Sequence, residues 1–250
     1  MTEPFHLDPA RVCAGFERAA RGYDTAAVLD REVAARMLER LELVKQVPAT
    51  VLDVGCGTGE ATQALAKRYP KARVIGLDRS LGMLAVARRR GTWWRRLPLV
   101  CGDAERLPLA DASIDLLFSN LLLHWCNEPE RVFAEFRRVL RPGGLLMFST
   151  FGPDTLTELR QSWVAADGGR HVHVHRFIDM HDLGDALLRA HLADPVMDAE
   201  RITLTYAGLD GLFADLRALG ARNAAAGRAP GLTGRGRLAA LSAAYEQWRR

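Results

Sequence analysis

Val51-Leu52-Asp53-Val54-Gly55-Cys56-Gly57-Thr58-Gly59 is the stretch from which the rest of the chain can be read. Val51, Leu52 and Val54 form a short apolar run that predicts a buried strand. The alternate glycines Gly55, Gly57 and Gly59 predict a turn that side chains would obstruct. Thr58-Gly59-Glu60, followed by Ala61, Leu65 and Ala66, predicts the start of a helix. Strand, glycine turn and helix is how an open α/β sheet makes a nucleotide site at the carboxyl end of a strand. The spacing does not suit the pyrophosphate fingerprint G-x-G-x-x-G, because the third glycine comes one residue early. The Lys-Ser/Thr of a P-loop is also absent.

Downstream, Val74-Ile75-Gly76-Leu77-Asp78 predicts a second buried strand ending in an acid, nineteen residues after Gly59. A carboxylate there can accept hydrogen bonds from both ribose hydroxyls of a nucleoside. Three further segments follow in order: Cys101-Gly102-Asp103-Ala104-Glu105-Arg106-Leu107-Pro108-Leu109, Ile114-Asp115-Leu116-Leu117-Phe118-Ser119-Asn120, and Leu140-Arg141-Pro142-Gly143-Gly144-Leu145-Leu146. Together with the acidic residue and G-x-G-x-G turn, these segments resemble class I S-adenosylmethionine-dependent methyltransferases. The resemblance implies that Cys101 to Leu109 follows the third strand, with Asp103 at the adenine amino group. It makes Ile114 to Asn120 the fourth strand running into the active-site loop, and Leu140 to Leu146 the turn into the fifth.

The expected fold class is therefore α/β. It is a Rossmann-like class I methyltransferase with a doubly wound, mostly parallel sheet, N-terminal helices and a helical substrate-binding insertion after the fifth strand. Apolar patterning agrees, with strands near 50–55, 73–78, 98–101, 114–119 and 144–150 and helices near 59–69, 81–90 and 129–139. A single methyltransferase domain over 1–250 is expected. It divides into an N-terminal helical cap (1–47), a cofactor-binding core (48–150), a substrate insertion (151–195) and a C-terminal strand and helices (196–250). In the cap, Val12, Phe16, Ala19 and Tyr23 recur at helical spacing, as do Val33, Met37, Leu38 and Leu41. Tyr23 follows Arg21-Gly22, where the first helix should end, so its ring is a candidate to be presented at a loop toward substrate or cofactor.

Composition bounds the rest. A 27.6 kDa chain with 48% hydrophobic and 26% charged residues is an ordinary globular protein. No apolar run approaches the length of a membrane span, and Met1-Thr2-Glu3-Pro4-Phe5-His6 has no secretory character. Cys13, Cys56, Cys101 and Cys126 are scattered, as in a reduced cytoplasmic protein. A net charge of +4 is too mild to select a partner. Arg88-Arg89-Arg90-Gly91-Thr92-Trp93-Trp94-Arg95-Arg96 is the most basic stretch. It suits a helix end with a surface loop, stacking on single-stranded nucleic acid, or the docking of an acidic carrier.

Past the fifth strand, Phe151-Gly152-Pro153-Asp154-Thr155-Leu156-Thr157-Glu158-Leu159 opens a helix with Asp154 as its expected N-cap. That helix carries Trp163 and stops before Asp167-Gly168-Gly169. In a strand, His171, His173 and His175 would share a face. No local carboxylate or cysteine completes a metal set, however, and methyl transfer from a sulfonium needs no metal, so none is expected. Asp179 to Leu188 predicts a helix, Met197 to Tyr206 a strand, and two further helices lie near 208–219 and 232–247.

Residues outside the general motifs narrow the resemblance. They are Phe16 to Tyr23, Ser119-Asn120-Leu121 with His124-Trp125-Cys126, Phe151 to Leu156 with Glu158-Leu159, His175 to Asp182, and Leu216 to Asn223. From about residue 10 to 247 the chain resembles the malonyl-acyl-carrier-protein O-methyltransferases of biotin synthesis. Members of that family continue into a further strand completing an antiparallel hairpin, whereas this sequence stops at Trp248-Arg249-Arg250. The resemblance implies methyl transfer from S-adenosylmethionine to the free carboxylate of a malonyl thioester, giving a methyl ester and S-adenosylhomocysteine. The implied partner is acyl-carrier protein carrying malonyl, or malonyl-coenzyme A, with no nucleic acid and no membrane; oligomeric state is left open.

A carboxylate of pKa about 4 is already ionised at neutral pH, so positioning rather than a general base is expected to carry the rate. The positioning candidates are Tyr23, His124 and Trp125. Substrate contacts are expected from Arg176, Phe177 and Phe151, with Arg176 forking the carboxylate and Arg170 in reserve. Cofactor contacts are expected from Asp53, Gly55, Cys56, Gly57, Gly59, Asp78, Arg79, Met83, Asp103, Ala104, Asn120 and Leu121. On charge alone, Arg88 to Arg96 and Arg137-Arg138 are candidates to steer an acidic carrier. Three other readings share the cofactor motifs: a methyltransferase of another small carboxylic acid or quinone precursor, a methyltransferase-like assembly factor acting on a protein partner, and a nucleic-acid methyltransferase. The last is disfavoured because Asn120-Leu121-Leu122-Leu123 stands where an Asn/Asp-Pro-Pro-Tyr/Phe signature would be.

Overall fold

A computed structural model describes residues 3–91 and 96–248. Helix α1 (Pro9–Ala19) starts where Asp8 accepts hydrogen bonds from the amides of Ala10 and Arg11, and Pro9 stands where a missing N–H costs nothing. A single turn α2 (Tyr23–Ala26) and helix α3 (Val28–Arg40) complete the N-terminal cap. Strand and helix then alternate: β1 (Thr50–Val54), α4 (Glu60–Arg68), β2 (Arg73–Asp78), α5 (Leu81–Ala87), β3 (Leu99–Cys101), β4 (Ile114–Ser119), α6 (Pro129–Val139) and β5 (Leu140–Phe148).

The strands form one sheet in the order β3-β2-β1-β4-β5, and every pairing is parallel. The chain winds outward from β1 in one direction, then returns to β1's other side for β4. Carboxyl ends of strands at such a reversal leave a crevice for ligand. Both faces are covered, so β1 reads as a continuous apolar run rather than an alternating one. Leu52 and Val54 pack with Ile75, Leu77, Phe133 and Phe136 under α6, while Val51, Val74, Leu116 and Phe118 meet Leu65, Met37 and Leu41 under α3 and α4. Phe118, Phe133 and Phe136 are fully buried, each contributing about 1.5–3 kcal/mol.

After β5 the chain forms α7 (Thr157–Asp167), α8 (Met180–Arg189), α9 (Leu209–Ala218) and α10 (Arg235–Glu246). Leu159, Trp163, Val174, Phe177, Leu212 and Leu241 give this region its own apolar cluster. Asp154 does not cap α7. The helix begins three residues later, behind Leu156 in the left-handed region (φ 54°), and Asp154 instead meets Arg201 at 3.0 Å. Residues 197–206 form no strand either. A strand persists only where a neighbour completes its ladder, and here β5 closes the sheet with no described strand beyond it. The segment is tethered by side chains instead, Asp198 and Glu200 to Arg40 and Glu200 to Arg36. Among the described residues, no helix is long and apolar enough to cross a membrane.

Candidate active site

The glycine turn between β1 and α4 is held from three sides. Gly55, Gly57 and Gly59 all have positive φ (75°, 52° and 81°). At Gly59 a Cβ would stand 2.8 Å from the Cβ of Ala87, so a side chain there would force α4 and α5 apart. Below the turn, Thr62 donates to the Asp53 carboxylate at 2.6 Å. Burial raises the Asp53 pKa to about 7, only partly offset by that hydroxyl and reinforced by nearby Asp78. Above the turn, Asp24 of α2 accepts from the Thr58 hydroxyl and from Arg90, and Arg90 Nε also donates to the Thr58 carbonyl at 2.7 Å. The N-terminal cap is thus latched directly onto the glycine turn.

A cleft opens beside this turn at the carboxyl ends of the strands and continues along the edge of β5 and the 192–208 segment, about 2690 Å³ in all. On one side Asp78, ending β2, accepts from Gly57 N at 2.9 Å and Ser80 N at 2.8 Å. Burial pushes its pKa up, and the two amides pull against that shift. Arg79 pairs with Asp103 at 3.3 Å across the ends of β2 and β3. Met83, Ala104 and Leu121 give the cleft apolar walls. Leu121 lies in the left-handed region (φ 51°), where the chain turns out of β4. The Asn120 amide donates to the Asp30 carbonyl at 2.9 Å and its oxygen accepts from Ser149 at 2.8 Å, so that side chain ties α3 to the end of β5. Backbone with positive φ, a half-buried carboxylate and apolar walls suit an adenosine-type ligand.

Facing these groups is an aromatic box. Tyr23 starts α2 rather than lying in a loop; its hydroxyl donates to Asp30 at 2.7 Å, and burial with that carboxylate beside it raises its pKa. His124 and Trp125 occupy a 3-10 turn, Leu123–Trp125, after β4. The His124 ring lies 4.6 Å from that of Phe151 and 5.9 Å from that of Phe177. Trp125 meets His175 edge-on at 4.7 Å and Phe16 at 5.1 Å. Burial, with His175 nearby, depresses the His124 pKa to about 3, and burial takes His175 to about 4, so both rings are neutral. His124 Nδ1 is buried with no hydrogen-bond partner.

The cleft thus gathers Gly55, Gly57, Asp78, Arg79, Met83, Asp103, Ala104, Asn120 and Leu121 with Tyr23, His124, Trp125, Phe151 and Phe177. Asp53, Cys56 and Gly59 do not line it: they lie behind the turn and shape it. Arg176, expected to fork the substrate carboxylate, is exposed and outside the lining, as is Arg170. Phe177 turns inward against Phe151, which leaves its neighbour Arg176 facing solvent. His171, His173 and His175 share no strand face. His173 stacks on Trp163 at 3.7 Å and bonds Asp167 at 2.7 Å, whereas His175 faces Trp125. No metal-binding cluster occurs among the described residues. Of the basic stretch, Thr92 to Arg95 lie outside the described residues. Arg88, Arg89 and Arg90 form a 3-10 turn that closes α5, the expected helix end, and Arg90 is in addition part of the latch. Asp24 and Glu17, which accepts from Gly82 N and Ser80 Oγ, carry no sequence signal, because each acts on a segment far along the chain; Asp30 acts on Tyr23, seven residues before it.

A family profile described as "Methyltransferase domain" matches residues 52–148. A malonyl-acyl-carrier-protein O-methyltransferase of a Methylovorus species is 52% identical over 254 aligned residues, covering 99% of this chain and 85% of the relative. Among solved structures, an S-adenosylmethionine-dependent methyltransferase of Thermotoga maritima has a TM-score of 0.53 at 24% identity, covering 71% of this chain and 79% of its own. A phosphoethanolamine N-methyltransferase of Haemonchus contortus in complex with S-adenosylmethionine reaches 0.56 at 20% identity, over 70% and 41%. These two structural likenesses establish the fold.

Proposed function

The chain belongs to the malonyl-acyl-carrier-protein O-methyltransferases, and from that premise we propose that it esterifies the free carboxylate of a malonyl thioester carried on acyl-carrier protein. S-adenosylmethionine supplies the methyl group: an O–C bond forms as the C–S bond breaks, leaving the methyl ester and S-adenosylhomocysteine. The resemblance assigns this step to early biotin synthesis. The observation that carries the reading is the opposition, in one cleft, of the Gly55–Gly57–Asp78 wall to a neutral aromatic box.

The residues suit the chemistry. The acceptor is ionised at neutral pH without help, its pKa being about 4, so no general base is needed. Gly55, Gly57 and Asp78 supply the backbone and carboxylate surface for the nucleoside, with Met83, Ala104 and Leu121 as walls. Tyr23, Trp125, Phe151 and Phe177 keep water from the acceptor. An anion and a cation disappear together in this reaction, so a dry and weakly polar box favours the transition state over separately hydrated charges.

The test is transfer of labelled methyl from S-adenosylmethionine to malonyl-carrier protein, with acetyl-carrier protein and malonyl-coenzyme A as parallel arms. Label on malonyl-carrier protein and none on the acetyl form is the expected result. Label on the acetyl form, or on neither carrier, overturns the reading. The coenzyme A arm sets how much of the recognition belongs to the carrier.

A further inference from the structure

We propose that the imidazole of His124 is the hydrogen-bond partner of the malonyl carboxylate, holding it with an uncharged donor inside the aromatic box. The inference rests on the functional reading above, and it names the acceptor group of that site. Four observations lead to it.

First, among the described residues His124 makes no hydrogen bond through either ring nitrogen, and Nδ1 is closed off from solvent. A buried polar atom left unpaired costs about 1–3 kcal/mol and is rare in folded proteins. Nδ1 is out of a ligand's reach, so the ring meets the cleft through Nε2, which has no partner among the described residues and is the nitrogen left to bind a ligand.

Second, the side chain is fixed. His124 sits in a 3-10 turn with Trp125 at 5.2 Å, Phe151 at 4.6 Å and Phe177 at 5.9 Å around it. Phe177 and Phe151 come from the segments beyond β5, so the ring is clamped between the core and the insertion.

Third, among the described residues no guanidinium is free to take the carboxylate at this place. Arg176 faces solvent, and of the arginines along the cleft Arg36, Arg40, Arg79, Arg141 and Arg201 are each paired with acids. Arg137, at the exposed end of α6, is not part of the aromatic box.

Fourth, a neutral partner suits the reaction better than a cation. A carboxylate neutralised by a guanidinium gives up much of the charge that drives its attack on a sulfonium. A neutral imidazole offers one N–H donor, orients one carboxylate oxygen and leaves the other free.

The experiment compares wild type, His124→Phe and His124→Asn, each saturated with S-adenosylhomocysteine and titrated with malonyl- and acetyl-carrier protein. Methyl-transfer rates are measured in parallel. Phenylalanine keeps the ring and removes both nitrogens, while asparagine keeps a neutral donor. Wild type is expected to bind the malonyl form more tightly than the acetyl form. His124→Phe is expected to lose that preference and to lose about 10- to 100-fold in kcat/KM, the scale of a hydrogen bond to a charged group. His124→Asn should recover part of both, and S-adenosylhomocysteine affinity should be unchanged in both variants. In nitrogen-15 spectra, with only seven histidines in the chain, the His124 ring signals should move on adding malonyl-carrier protein and stay still with the acetyl form.

Retention of the malonyl preference by His124→Phe, or a silent His124 signal, overturns the proposal while leaving methyl transfer itself standing. A parallel fall in S-adenosylhomocysteine affinity in both variants overturns it too, as a structural role alone. Failure of the wild type to label malonyl-carrier protein rejects the functional reading, and the proposal with it.

Discussion

The two walls of the cleft are built by different means. The wall at the glycine turn is made of consecutive backbone pinned by hydrogen bonds to the protein's own side chains: Gly57 N to Asp78, Ser80 N to Asp78, Thr62 to Asp53. Its polar groups are almost all satisfied within the protein. The aromatic wall draws Phe16, His124, Trp125, Phe151, His175 and Phe177 from four separate parts of the chain, and ring packing holds it together. It leaves one buried nitrogen unpaired. The first wall is a conformation the backbone cannot easily leave. The second is a packing arrangement in which the His124 ring meets the cleft through its other nitrogen, Nε2. Substitutions in the two walls should therefore fail in different ways.

The largest effect is expected at Gly59. Valine there must adopt φ near 81° and place its Cβ 2.8 Å from Ala87. Left-handed strain and overpacking together should cost about 2–4 kcal/mol, measured as a fall in the denaturation midpoint, and cofactor binding should be lost with it. Retention of full stability would mean that the turn is no more rigid than the aromatic wall. Next comes Asp78→Ala, which removes the acceptor of the Gly57 and Ser80 amides. A weakening of S-adenosylhomocysteine binding by about 10- to 100-fold is expected, with the preference for malonyl over acetyl carrier unchanged. Calorimetry on the two ligands separates these effects. Loss of the malonyl preference in Asp78→Ala would break the division between the walls.

That division also sets what the sequence makes legible. The glycine turn, the acid ending β2 and the alternation of strands and helices are local patterns, and a doubly wound, mostly parallel sheet follows from them. Asp53, Cys56 and Gly59 belong to the same motif yet stand behind the cleft, because a motif fixes a backbone path without saying which side of it a ligand sees. His124, Trp125, Phe151 and Phe177 could be named from their segments, but their convergence depends on folding 151–177 back over the loop after β4. Arg176 shows the limit. It lies in the right segment with the right chemistry, and one position decides that Phe177 takes the inside and Arg176 the solvent. Arg90 shows the converse, since a run of arginines gives no hint that one of them reaches back to Thr58 and Asp24. The strand expected over 197–206 alternates apolar residues correctly, but alternation forms no ladder without a partner.

A smaller effect is expected for Trp125→Leu. The change removes the edge-on contacts to His175 and Phe16 while leaving an apolar side chain, so the box loosens rather than opens. Aromatic pairs of this kind contribute about 0.5–1.5 kcal/mol each beyond their buried area. A fall of about 3- to 20-fold in kcat/KM for malonyl-carrier protein is expected, with S-adenosylhomocysteine affinity unchanged. Equal losses on both ligands would show that Trp125 supports the glycine-turn wall as well and that the walls are mechanically coupled.

The smallest effect concerns pH, and for turnover it is expected to be zero. The groups facing His124 are Trp125, Phe151, Phe177 and His175. Only His175 among them titrates, and burial holds it near 4 while His124 lies near 3. Neither ring should gain a proton between pH 5 and pH 8, so kcat/KM should show no inflection from them in that range. Stability behaves otherwise. Both rings have folded pKa values below the ordinary histidine value of about 6.5, so the unfolded chain binds more protons than the folded one at acid pH. Their contribution is whole above about pH 6.5 and is lost as pH falls toward 4 and then 3. Wild type should lose denaturation midpoint over that window, and His124→Phe should lose less, because it has one fewer ring to protonate on unfolding. A turnover inflection near pH 6 that disappears in His124→Phe would mean that the aromatic wall carries a charge during the reaction. The contrast between a satisfied polar wall and a neutral packed one would then have to be abandoned.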